Sequence, residues 1–141
     1  MALRWTTVAV GILVGLGGMS LAQHEGGEKV RPLSSREILE KLDGQAASAT
    51  VVEVRLEAGA KGSPHRHPGP VFGYVLEGEY ELGIDDQPSK IYRQGETFYE
   101  PTGCLHSVSR NPSLKGPARL LAVVLHPRDA KAIAVPEHGD K

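Results

Sequence analysis

The 141-residue sequence contains one cysteine, Cys104, so no disulfide can form within the chain. Stability must come from a buried core, a bound ion or a partner subunit. Aromatic residues are few, at 5%, whereas Gly 17 and Pro 10 exceed average usage. That balance disfavours a few long helices and favours many short elements joined by tight turns, and an all-β domain is the first expectation. Neither sign of charge dominates: Lys+Arg 16 against Asp+Glu 17 leaves a formal net charge of -1. No basic stripe is available to neutralise a run of phosphates, so nucleic acid is not expected as a partner. Beyond residue 22 no segment is apolar enough to span a bilayer.

Residues 1–22 read as a signal peptide. Met1 and Arg4 supply positive charge, Val8 to Leu16 is apolar and broken only by glycines, and Ser20-Leu21-Ala22 offers small residues for cleavage before Gln23. An uncleaved anchor is the alternative. With cleavage, the mature chain is periplasmic or secreted and leaves no membrane segment. Residues 23–48 are expected to be a polar arm followed by a short helix. Ser34 and Glu37 fit a capping box, and Ile38, Leu39 and Leu42 share a helical face before Gly44.

From residue 49 to 128 the apolar period becomes two. Val52, Val54 and Leu56 alternate with Glu53 and Arg55. Val71 to Glu77 and Tyr80 to Ile84 read as a hairpin around Glu77-Gly78, and further short runs follow at 90–93, 97–100, 105–109 and 120–125. Strands this closely spaced argue a sandwich or barrel. Residues 129–141 are charged and Pro-containing and read as a tail.

His65-Arg66-His67 places two imidazoles on one face of an extended segment, and His106 can add a third nitrogen if its strand is adjacent. Taken alone, such a pair is more simply a solvated loop beside Pro64 and Pro68. Its surroundings decide the matter. Gly59, His65, His67 and Gly78 stand at the spacing of the first cupin motif, G-x5-HxH-x3,4-E-x6-G. Gly95, Pro101, Gly103 and His106 follow the second, G-x5-P-x-G-x2-H-x3-N, with Asn111 one residue late. From Thr50 to Pro127 the chain therefore resembles the cupin superfamily, in its small single-domain form.

The resemblance implies a cupin-type jelly-roll β-barrel, here preceded by the short N-terminal helix, with a divalent transition metal held by His65, His67 and His106. Many members add a glutamate, but this sequence has Val71 at that position. A neutral three-histidine set favours Fe, Ni, Cu or Zn over a harder ion such as Mn, without identifying the metal. Glu100 and Glu77 are the candidate replacements. A solvated surface position is the simpler reading of Glu100, and a rim position that of Glu77; either could act as a general base if it faced the metal. Cys104 could share the facing of His106, though a small buried filler is the plainer role. Tyr74, Tyr80, Tyr92 and Tyr99 could orient a substrate, though strand packing explains them as well. His24, His126 and His138 fall outside both motifs and receive no role.

Three functions fit. The first is a metal-dependent oxygenase resembling the quercetinase-like and three-histidine dioxygenase cupins, acting on a small organic substrate. The second is a non-catalytic module that binds or senses a small ligand or metal. The third is a metal-assisted isomerase, lyase or decarboxylase, disfavoured because no clear acid–base pair accompanies the histidines. Cupins commonly pair through sheet edges and terminal arms, so the resemblance also implies a homodimer.

Overall fold

A computed structural model describes residues 27–137. The expected signal segment, His24 and His138 lie outside them. Ten strands make up the described region: β1 (Glu28–Leu42), β2 (Gln45–Leu56), β3 (His65–Arg66), β4 (Val71–Glu77), β5 (Glu79–Ile84), β6 (Lys90–Arg93), β7 (Thr97–Glu100), β8 (Leu105–Arg110), β9 (Ala118–Pro127) and β10 (Val135–Pro136). They form two antiparallel five-stranded sheets, ordered β1-β2-β9-β4-β7 and β10-β3-β8-β5-β6. The all-β expectation holds.

Period-two patterning builds the interior. Along β9, Ala118, Leu120, Ala122, Val124 and His126 are buried, while the residues between them face outward. Val71, Gly73 and Val75 of β4 do the same, as do Phe98 and Glu100 of β7. Two apolar clusters result. One gathers Leu56, Val75, Tyr80, Leu82, Phe98 and Leu120; the other gathers Val52, Val71, Ala122, Val124 and Ile133. Gly73 pairs with Phe98 across the β4–β7 ladder, and a Cβ at Gly73 would lie 2.0 Å from the Phe98 ring. The missing side chain is what leaves room for that ring.

Three sequence expectations are corrected. The helix over 35–42 is absent: Ser34 to Leu42 belong to β1 and pair with β2, and the same strand takes in residues 28–33 of the expected arm. Asp43 and Gly44, both with positive φ (50° and 77°), form the two-residue turn joining β1 to β2. This Asp-Gly pair is a strong hairpin signal, and Gly44 is better read that way than as a helix stop. Leu39, assigned to a buried helical face, is 99% exposed near a register shift in the ladder.

The expected β4–β5 hairpin does not form either. The chain turns at Gly78 and crosses between sheets, so β4 pairs with β7 and β9 whereas β5 pairs with β6 and β8. Finally, the segment read as a tail packs onto the barrel. Ile133 is buried, β10 pairs with β3, and Glu137 ion-pairs with Arg66 at 3.0 Å.

Gly73→Ala is predicted to destabilise the protein by about 1–3 kcal/mol through overpacking against Phe98. Gly116→Ala, where a Cβ would meet nothing within 4 Å, should stay within about 0.5 kcal/mol of the parent. Chemical denaturation midpoints compare the two.

Candidate metal centre

Strand register brings the histidines together. β3 pairs with β8 so that His65 stands directly opposite His106, and His67 follows two residues after His65. His65 and His106 are buried, at 6% and 4% exposure, and His67 is half-buried. His65 Nε2 lies 3.1 Å from His67 Nε2 and 3.1 Å from His106 Nδ1. All three ligand atoms fall within 4.8 Å of one another, so the convergence expected from the sequence is present.

Backbone carbonyls settle how two of the rings are protonated. His65 Nδ1 donates to Ser63 O at 2.9 Å and His67 Nδ1 donates to Ile133 O, and a carbonyl can only accept. In the neutral rings both Nε2 atoms therefore carry lone pairs. Two lone pairs aimed at each other across 3.1 Å repel unless a cation lies between them. Burial, followed by the neighbouring His65, pushes His67 down to about 4, and burial holds His106 well below its usual value. His67 and His106 are thus neutral near pH 7, and the arrangement suits a metal ion. Metal–ligand bonds of about 2.0–2.2 Å place neighbouring ligands roughly 3.0 Å apart at right angles and about 3.4 Å apart in a tetrahedron. The two 3.1 Å separations from His65 Nε2 match that spacing.

The third ring is held differently. His106 Nε2 lies 3.0 Å from the Tyr80 hydroxyl, which in turn lies 3.1 Å from Ser109 Oγ. The tautomer in which His106 Nε2–H donates to Tyr80, and Tyr80 to Ser109, is the one that turns an Nδ1 lone pair towards the other rings. Tyr80 is fully buried, and burial raises its hydroxyl well above the usual phenol value, so it stays protonated. Sequence reasoning treated Tyr80 as one of four packing tyrosines. The available signal was its inward phase on β5, but nothing in the sequence distinguished it as the partner of His106.

Glu100 is the principal revision. The surface reading is wrong: at 2% exposure it lines the same cavity, with Oε2 3.3 Å from His106 Nδ1 and 3.7 Å from His67 Nε2. Burial pushes its carboxyl up to about 8, so without metal it is protonated and these contacts are not ion pairs. Oε2 accepts no hydrogen bond. Glu77 lies outside the cavity lining and contacts Arg119 at 3.6 Å. Tyr74 and Tyr99 face outward, and neither Tyr92 nor Cys104 lines the cavity. The Cys104 thiol is pushed up to about 11 by burial, which makes it a poor nucleophile. His126 is buried against Thr50 Oγ1 at 2.9 Å, and Asn111 ties a loop by donating to Glu57 O and Gly116 O.

The cavity measures about 70 Å³. His65, His67, Glu100 and His106 line it together with Glu28, Tyr80 and Ser109, while Val52, Val71, Phe98, Val124 and Ile133 are among its apolar walls. An ion and a few water-sized groups fit.

A family model described as a cupin domain matches residues 52–124. No curated protein matches the chain. Similar solved structures include the polyketide cyclase RemF from Streptomyces resistomycificus, at 20% identity and TM-score 0.60, covering 86% of this chain and 79% of that one. An oxalate oxidase in complex with the substrate analogue glycolate has 23% identity and TM-score 0.57, with 81% of this chain and 58% of that chain covered. KdgF from Halomonas sp. has 20% identity and TM-score 0.55, covering 73% and 82%. At these identities the likeness is one of fold.

Glu100→Gln tests the electrostatics in metal-free protein. The folded state keeps the Glu100 proton up to about pH 8, whereas the unfolded chain releases it near 4.5. Its contribution to stability is therefore full below 4.5 and is lost as pH rises towards 8. The melting temperature of Glu100→Gln minus that of the parent should increase between pH 5 and pH 8. His67, whose lowered value removes stability as pH falls below 6.5, is common to both proteins and cancels. A difference independent of pH would contradict a buried, protonated carboxyl.

Proposed function

The chain belongs to the cupin domain family, and from that premise we propose that it is a metal-dependent oxygenase-like enzyme acting on a small organic substrate that presents oxygen donors. The observation that carries the reading is the convergence of three imidazoles at a largely apolar cavity. A divalent transition ion such as Fe, Ni, Cu, Zn or Mn would be held by His65, His67 and His106 and would supply a Lewis-acidic centre with open positions. The protein's own groups do the rest. Ser63 and Ile133 carbonyls fix two rings, Tyr80 fixes the third, and the valine-rich wall keeps water from the carbon part of a substrate. Among proteins of similar fold, the oxalate oxidase with bound glycolate is an oxidative enzyme acting on a small oxygen-bearing molecule. The modest cavity volume also suits a non-catalytic module that captures a metal or a small ligand, which is the second reading.

Metal analysis of the purified protein should find about one equivalent per chain, and His65→Ala and His106→Ala should each lose most of it. Their melting temperatures should fall below the parent's when metal is present and match it more closely in chelator. Metal at 100 times its Kd stabilises a folded state by about 2.7 kcal/mol. Equal occupancy in parent and variants would remove the ligand assignment. Oxygen uptake with enols, flavonols and thiols separates the two readings: metal-loaded protein without turnover favours the binding module.

Export is part of the proposal, supported by Arg4, the apolar run and Ser20-Leu21-Ala22. The intact mass of protein recovered from the periplasm or medium should correspond to a chain starting near Gln23; a mass retaining residues 1–22 would contradict cleavage.

A further inference from the structure

The glutamate missing from the first histidine motif has a counterpart one strand away. Val71, which occupies the position where the motif carries a carboxylate, is 1% exposed and lines the cavity. Its cross-strand partner in the β4–β7 ladder is Glu100. Directly opposed residues in an antiparallel pair carry Cβ atoms about 4.5–5.5 Å apart on the same face. A side chain as long as Glu can therefore serve from either strand a point in front of both.

We infer that Glu100 is a fourth metal ligand, its carboxylate moved across the ladder from the position of Val71 to the facing position on β7. This rests on the three-histidine centre proposed above and extends it. Three observations support it. Glu100 Oε2 is buried and accepts no hydrogen bond. Its distances of 3.3 Å and 3.7 Å to His106 Nδ1 and His67 Nε2 suit ligands sharing one ion. No Lys or Arg lines the cavity among the described residues, so no side-chain cation is there to receive the charge of an ionised Glu100. The anionic oxygen also changes the metal preference read from a neutral three-histidine set: it restores affinity for harder ions, Mn²⁺ included.

The test is calorimetric titration of the full chain, stripped with chelator, with Mn²⁺ and with Zn²⁺. Loss of even an outer partner of a metal ligand weakens binding about 10–100-fold. Glu100→Gln, an isosteric change, should accordingly weaken Mn²⁺ by about 100-fold and Zn²⁺ by less. The double variant Val71→Glu with Glu100→Val should return Mn²⁺ affinity to within about tenfold of the parent, and it provides a second measurement if Glu100→Gln does not fold. A loss below about tenfold in Glu100→Gln, with the parent binding normally, overturns the ligand role and leaves the histidine centre standing. Continued weak binding in the double variant overturns the equivalence of the two positions. If the parent and His65→Ala bind alike, the histidine centre itself fails, and Glu100 with it.

Discussion

Two imidazole nitrogens facing each other across 3.1 Å are the constraint on which the site depends. The nitrogens on the far side of His65 and His67 are committed to backbone carbonyls, so neither ring can relieve the contact by changing tautomer. Protonation would relieve it, but burial opposes charge on His67 and His106. A metal ion held by both Nε2 atoms would replace that contact with two ligand bonds. Glu100 Oε2, buried beside the same nitrogens, accepts no hydrogen bond, and a buried polar atom in that state is costly.

The architecture serves this point from both sheets. Cross-strand register places His65 opposite His106 in one sheet, while β7 of the other sheet brings Glu100 up to face them. The segment after β9 completes the enclosure: Ile133 joins the apolar wall and lends its carbonyl to His67, and Arg66 clamps both Glu137 and Gly103 O. Ligand orientation is thus coupled to how the chain closes after its last long strand. Loosening that closure would release a histidine as well as expose the cavity.

Much of this was legible in the residues. The His65-x-His67 pair, the spacing to Gly78 and the second set from Gly95 to His106 carried the barrel and the convergence of the three histidines, because glycine and histidine spacing records turn geometry and register directly. Other features were hidden for physical reasons. Ile38, Leu39 and Leu42 mimic a helical stripe, yet the Asp43-Gly44 turn and pairing with β2 override that local pattern. The burial of Glu100 depends on which strand lies beside β4, and alternation along β7 gives parity without saying which face is the interior. Ile133 sits in a short apolar run between Lys131 and Glu137, and its packing depends on a tertiary contact that composition does not reveal.

The most direct measurement of the central claim is X-ray absorption at the metal edge of the loaded, full-length protein. Three imidazoles should appear through their multiple-scattering signature, with nitrogen or oxygen neighbours at about 2.0–2.2 Å and no sulfur shell. A spectrum fitted with one imidazole or none, or with a thiolate at about 2.3 Å, would contradict the account.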